Sequence, residues 1–82
     1  MEKNFLDQFD ALIEKYTELL LGESTPERKE MVKMWALYTY ISKSMPPLVK
    51  HWNELFPEAK EQMKAIVYEI KQLNELHRGK SK

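Results

Sequence analysis

Between Pro26 and Ser44 the chain keeps almost no polar side for water. One apolar stripe runs through Met31, Met34, Trp35, Tyr38, Ile41 and Met45, a second through Val32, Ala36, Leu37 and Tyr40, and after Glu30 charge returns only at Lys33 and Lys43. A helix that is apolar around most of its circumference is a buried helix. The wider stretch from Met31 to Phe56 holds Trp35, Tyr38, Tyr40, Trp52 and Phe56, five of the nine aromatic residues. The other helices are expected to pack on it.

The chain available to cover that helix is short. At 82 residues it is one domain, and a chain of this size removes only about 60% of its unfolded surface from water. It has no cysteine, so neither a disulfide nor a thiolate metal site can reinforce a small core. Self-association is the route left to an unstapled mini-domain. A homodimer built through helix two, with parts of helix one or helix four, is therefore expected.

Helix one is expected over residues 4–21. Phe5, Leu6, Phe9, Leu12, Ile13, Tyr16, Leu19 and Leu20 form one continuous stripe, wider than a two-position coiled-coil seam. Asp7 and Asp10 lie toward its positive N-terminal end, and Gly22 supplies the left-handed stop. Thr25, Pro26 and Glu27 then give an N-cap hydroxyl, a proline at the first helical position and an acid in the first turn. Arg28 stands where a capping-box glutamate would be, so that box is absent. So short a connection predicts an antiparallel hairpin of helices one and two.

Helix two, over 26–44, ends at Pro46 and Pro47, because a residue before proline is pushed out of the α region. Ser44 is expected to cap a short helix over 47–55 that turns Leu48, Val49, Trp52, Leu55 and Phe56 inward. Pro57 closes it and opens helix four, over 58–77, with Glu58 and Glu61 in the first turn. There Met63, Ile66, Ile70 and Leu73 recur at heptad-like steps, widened by Ala59, Val67 and Leu76. A basic tail at 78–82, with Arg78, Lys80 and Lys82 around Gly79, is expected to fray. The fold class is all-α: three long helices and one short one in a small bundle completed by dimerisation.

Charge excludes some partners. Lys plus Arg equals Asp plus Glu at 13 each, so no net field draws the chain to nucleic acid or an anionic membrane. Residues 1–30 hold eight acids against four bases, and residues 31–82 five acids against nine bases. That asymmetry favours antiparallel packing within one chain or between two. The N-terminus has no basic and apolar signal pattern, and no apolar run approaches the roughly 20 residues of a membrane span. Cytoplasmic residence follows as the expectation.

Candidate chemistry is thin. His51 and Glu54 lie one turn apart and could begin a metal or ligand site, but di-metal bundles want Glu-x-x-His twice with two further glutamates; here the order is reversed and occurs once. Glu14 with Glu18, and Glu27 with Glu30, are paired carboxylates beside Lys15, Arg28 and Lys29 on polar faces. Acid–base work would require burial or a charge partner to move a pKa. No nucleophile elbow, glycine-rich phosphate loop or His-Glu-x-x-His is present. Neither catalysis nor a cofactor is expected. A short helix followed by a longer one bearing Lys60, Lys64, Lys71 and Arg78 imitates a weak DNA reader, yet Glu58 and Glu61 would meet the phosphates first.

What remains is the aromatic and apolar surface of helices two and three. Val32, Trp35, Leu37, Tyr38, Tyr40 and Trp52 are the interaction candidates, since Trp and Tyr combine large apolar area with a polar handle and methionines adapt to different shapes. A second copy or a partner protein's helix is the expected occupant.

The segments Gln8-Phe9-Asp10-Ala11-Leu12-Ile13-Glu14-Lys15-Tyr16-Thr17-Glu18-Leu19-Leu20 and Ser42-Lys43-Ser44-Met45-Pro46-Pro47-Leu48-Val49-Lys50-His51-Trp52-Asn53-Glu54 resemble a small family from spore-forming Bacillus-type bacteria, the YusU-like group. The resemblance spans nearly the whole chain. It implies a bacterial, cytoplasmic protein with a domain of unknown function, and it brings no catalytic or binding residues.

Overall fold

The computed structural model describes residues 2–80. It is all-α, with α1 (Lys3–Leu21), α2 (Pro26–Ser44), α3 (Pro46–Leu55) and α4 (Pro57–Lys80). The boundaries fall within one residue of expectation except at the end of α4. There the helix continues through Arg78 and Gly79 to Lys80 rather than fraying from 78, and residues 81 and 82 lie outside the described residues.

Local chemistry sets each break. Gly22 takes φ 94° at the end of α1 and donates its N–H to the Glu18 carbonyl at 2.8 Å, the left-handed close that costs other residues steric strain. Thr25 caps α2 as expected, its Oγ1 accepting the Arg28 N–H at 3.1 Å. Met45 and Phe56, each followed by proline, adopt nearly the same extended dihedrals, φ −140° ψ 71° and φ −128° ψ 70°. A proline ring clashes with a preceding residue held in the α region, so a single residue suffices at each turn. Ser44 does not cap α3: its hydroxyl donates back to the Tyr40 carbonyl at 2.8 Å, and Met45 is the capping residue, without a side-chain bond.

α1 and α2 form the expected hairpin. α1 packs on α2 and α4, and α3 packs on α2 and α4, whereas α1 and α3 do not touch. Asn74 on α4 donates to the Leu20 carbonyl at 2.8 Å, which serves one of the carbonyls that a helix C-terminus leaves unpaired. The C-terminal ends of α1 and α4 therefore meet beside the hairpin turn.

The core sits at that end. Leu21, Met31, Val32 and Ile70 are buried together, with Leu20, Trp35, Ile66 and Leu73 packed against them. Thr17, one turn before Leu21, is fully buried, its hydroxyl donating to the Ile13 carbonyl at 2.8 Å, as buried threonines on helices commonly do. Elsewhere the molecule is open, with extents of 38 × 38 × 20 Å. Its radius of gyration is 14.5 Å, against about 12 Å for a compact domain of this length.

Candidate interaction surface

The structure divides the six candidates from α2 and α3 into three groups. Val32 is 1% exposed and belongs to the core, so it is removed as a contact residue: its small branched side chain fills the space where α2 meets its neighbours. Trp35 is half-buried against the same core. Tyr38 and Trp52 are also half-buried, but against each other. Their ring centroids lie 6.0 Å apart edge to face, and the Tyr38 hydroxyl donates to Asn53 Oδ1 at 3.1 Å. Leu37 and Tyr40 stay open, at 62% and 70% exposure.

α2 is thus enclosed along its first half and only partly sheltered, by α3, along its second. Beside Tyr38 lies an almost purely apolar groove of about 380 Å³ between α2 and α3, lined by Met34, Leu37, Ile41, Leu48, Trp52 and Met63 among others. α3 turns less of itself inward than its pattern predicts. Val49 and Trp52 are half-buried, while Leu48, Leu55 and Phe56 are more than half exposed, because α1 does not reach this end of the molecule.

The larger departure is on α1. Its inward side is Ile13, Thr17, Leu20 and Leu21, and all three of its aromatic residues, Phe5, Phe9 and Tyr16, lie in the open with Leu12, Leu19 and Leu6. Leu12 and Leu19 are 60% and 67% exposed. These residues were legible as a stripe, but its alternating steps of four and three, the signature of a helix-pairing seam, are masked in the sequence by the neighbouring Leu6, Ile13 and Leu20.

Charge is arranged around these faces. Asp10 anchors α1 to α2 through Lys29 at 2.8 Å and Lys33 at 3.8 Å. The hydrogen bond from Lys29 holds the Asp10 carboxyl below its ordinary range, and Asp10 in turn raises the Lys29 ammonium. Lys60, Lys64, Lys71 and Arg78 are spaced so that they return to one side of α4, forming a basic stripe. Glu61 pairs with Lys64 at 3.7 Å, and Glu75 interrupts the stripe's last step. His51 and Glu54 are exposed on α3, and among the described residues no group of three or more His, Cys, Asp or Glu side chains gathers to hold a metal ion. Among them, too, no helix is long and apolar enough to cross a membrane.

No solved structure matches the chain. It is 60% identical over 80 residues to "Uncharacterized protein YusU" of Bacillus subtilis (strain 168), a match that covers 98% of this chain and 84% of that protein. A family model described as "Protein of unknown function (DUF2573)" matches residues 3–80, and on these two matches the chain belongs to the DUF2573 family.

Proposed function

We propose that this protein is a self-association module whose working form is a homodimer, with no catalytic role of its own. One observation carries this. A folded monomer of 9.8 kDa is expected to expose about 5,200 Å², whereas this chain exposes 6654 Å², about 1,500 Å² more. Much of that excess is large apolar side chains on α1, α2 and α3. Contiguous apolar surface of this kind marks an interaction site, and each partner in a standard interface contributes about 800 Å². A second copy supplies that partner without any further gene product.

Sedimentation equilibrium of the purified chain at micromolar concentration tests this directly, with a mass of twice the protomer expected. A protomer mass throughout, or a monomer that instead takes up another protein's helix, would sink it. The basic stripe on α4 gives duplex DNA binding the one geometric point in its favour. Glu61 and Glu75 beside the stripe and the zero net charge weaken its field, so DNA binding ranks second. It predicts an affinity for duplex DNA that falls steeply with added salt.

A further inference from the structure

We propose that the dimer closes through α1: Phe5, Phe9, Leu12, Tyr16 and Leu19 of one copy pack against the same five residues of the other across a two-fold axis. This rests on the homodimer proposed above and names its interface.

The spacing comes first. The five residues follow one another at steps of four, three, four and three, which keeps them on one seam of a helix and is the pattern by which two helices interlock side chains. All five are open to solvent along four turns of α1, and they include all three of the helix's aromatic side chains. Phe5 and Phe9 already lie against each other, with centroids 6.2 Å apart.

The flanks of the seam suit a copy of itself. On one side stand Leu6, Ile13 and Leu20, the last two half-buried, so the seam runs into the protomer's own core. On the other stand Gln8, Ala11 and Lys15, and the one charge there is met within α1 by Glu18 at 3.1 Å. Asp7, Asp10 and Glu14 project from the remaining side of the helix, with Asp10 held by Lys29. Two copies of α1 can therefore approach without bringing like charges into the contact.

The area is sufficient. The seam's three half-exposed aromatics and two leucines, with the flanking Leu6, offer roughly 600 Å² of apolar surface per copy, three quarters of what each partner gives to a standard interface. Bordering residues supply the rest. A two-fold contact uses the same patch on both subunits and closes after two copies, so the seam itself cannot propagate into longer assemblies. The α2–α3 groove lacks that self-matching shape, being concave on both copies.

Since the chain has no cysteine, introduced thiols report the interface cleanly. Leu12 is at the midpoint of the seam, so a symmetric pairing brings the two copies of Leu12 together whichever way the helices run. Under mild oxidation Leu12→Cys should form a disulfide-linked dimer, and Leu37→Cys on α2 should not. Leu12→Lys should weaken association at least about 100-fold, since it places two unpaired ammonium groups in an apolar contact, with far-UV circular dichroism unchanged because Leu12 is no part of the core.

If the natural chain is a dimer but Leu12→Lys still dimerises and Leu37→Cys cross-links instead, the seam is overturned and the homodimer stands. If the natural chain sediments as a protomer at every concentration, both fall.

Discussion

Gly22 does two things at one residue. Its φ of 94° closes α1, and a Cβ built there would lie 2.8 Å from Nδ1 of His77 on α4. Gly22→Ala should therefore cost about 1–2 kcal/mol from the left-handed backbone alone, and somewhat more because the His77 ring must shift. Urea denaturation will show it as a lower midpoint with an unchanged slope. Asp10 makes a prediction in pH. Its folded carboxyl titrates below the ordinary 3.8 because Lys29 donates to it, so its contribution is present above that value and disappears as pH falls through the lowered one. Asp10→Asn should lower stability slightly at pH 7, and the deficit relative to the natural chain should vanish in strong acid. An equal deficit at both pH values would show that the ion pair is not its source. The matching alkaline effect comes from Lys29: its raised ammonium keeps the pair intact up to the ordinary 10.5, and the contribution is lost only as pH climbs through the higher folded value.

At the scale of elements, most of what depends on local backbone chemistry was legible, the exceptions being the expected Ser44 cap, whose hydroxyl bonds back to Tyr40 instead, and the end of α4. Thr25 before Pro26, Gly22 after Leu21, and proline after both Met45 and Phe56 act on their immediate neighbours, and the helices start and stop accordingly. Thr25→Ala should cost about 1 kcal/mol, the usual worth of an N-cap hydroxyl; measured by thermal or urea unfolding, a value near zero would mean that water replaces the Arg28 N–H contact freely. Which face of a helix turns inward was less legible, because that is decided by helices distant in sequence. α2 looked uniformly buried, yet only Met31 and Val32 are fully enclosed, since α1 and α4 cover the end nearest the hairpin and α3 shelters the other end partially. α1 looked evenly apolar, yet it turns Thr17 inward and Leu19 outward. A small branched side chain with an internally satisfied hydroxyl lets the helix approach its neighbours closely, which a row of Phe and Tyr does not. The residues of the proposed seam could be read from the sequence, but not the fact that the bundle leaves them uncovered.

For the whole molecule, the small core and the open apolar faces belong to one problem. Five buried hydrophobic residues among those described are few for a domain that must offset about 1–2 kcal/mol of backbone entropy per ordered residue, and burying the α1 seam in a second copy adds apolar contact where the protomer has none to spare. Stability should then depend on concentration, because anything bound only to the folded form shifts the unfolding equilibrium by mass action. With an unfolding enthalpy of about 0.7 kcal/mol per residue summed over both chains, each tenfold rise in protein concentration should raise Tm by about 4 °C. Leu12→Lys should melt lower and at a Tm that no longer moves with concentration, whereas Tyr40→Lys, exposed on α2 away from the seam, should keep the slope of the natural chain. Scanning calorimetry of the three proteins across a hundredfold range separates the possibilities. A flat Tm for the natural chain would mean that the protomer stands alone with its apolar faces in water, and a slope abolished by Tyr40→Lys instead of Leu12→Lys would move the contact from α1 to α2.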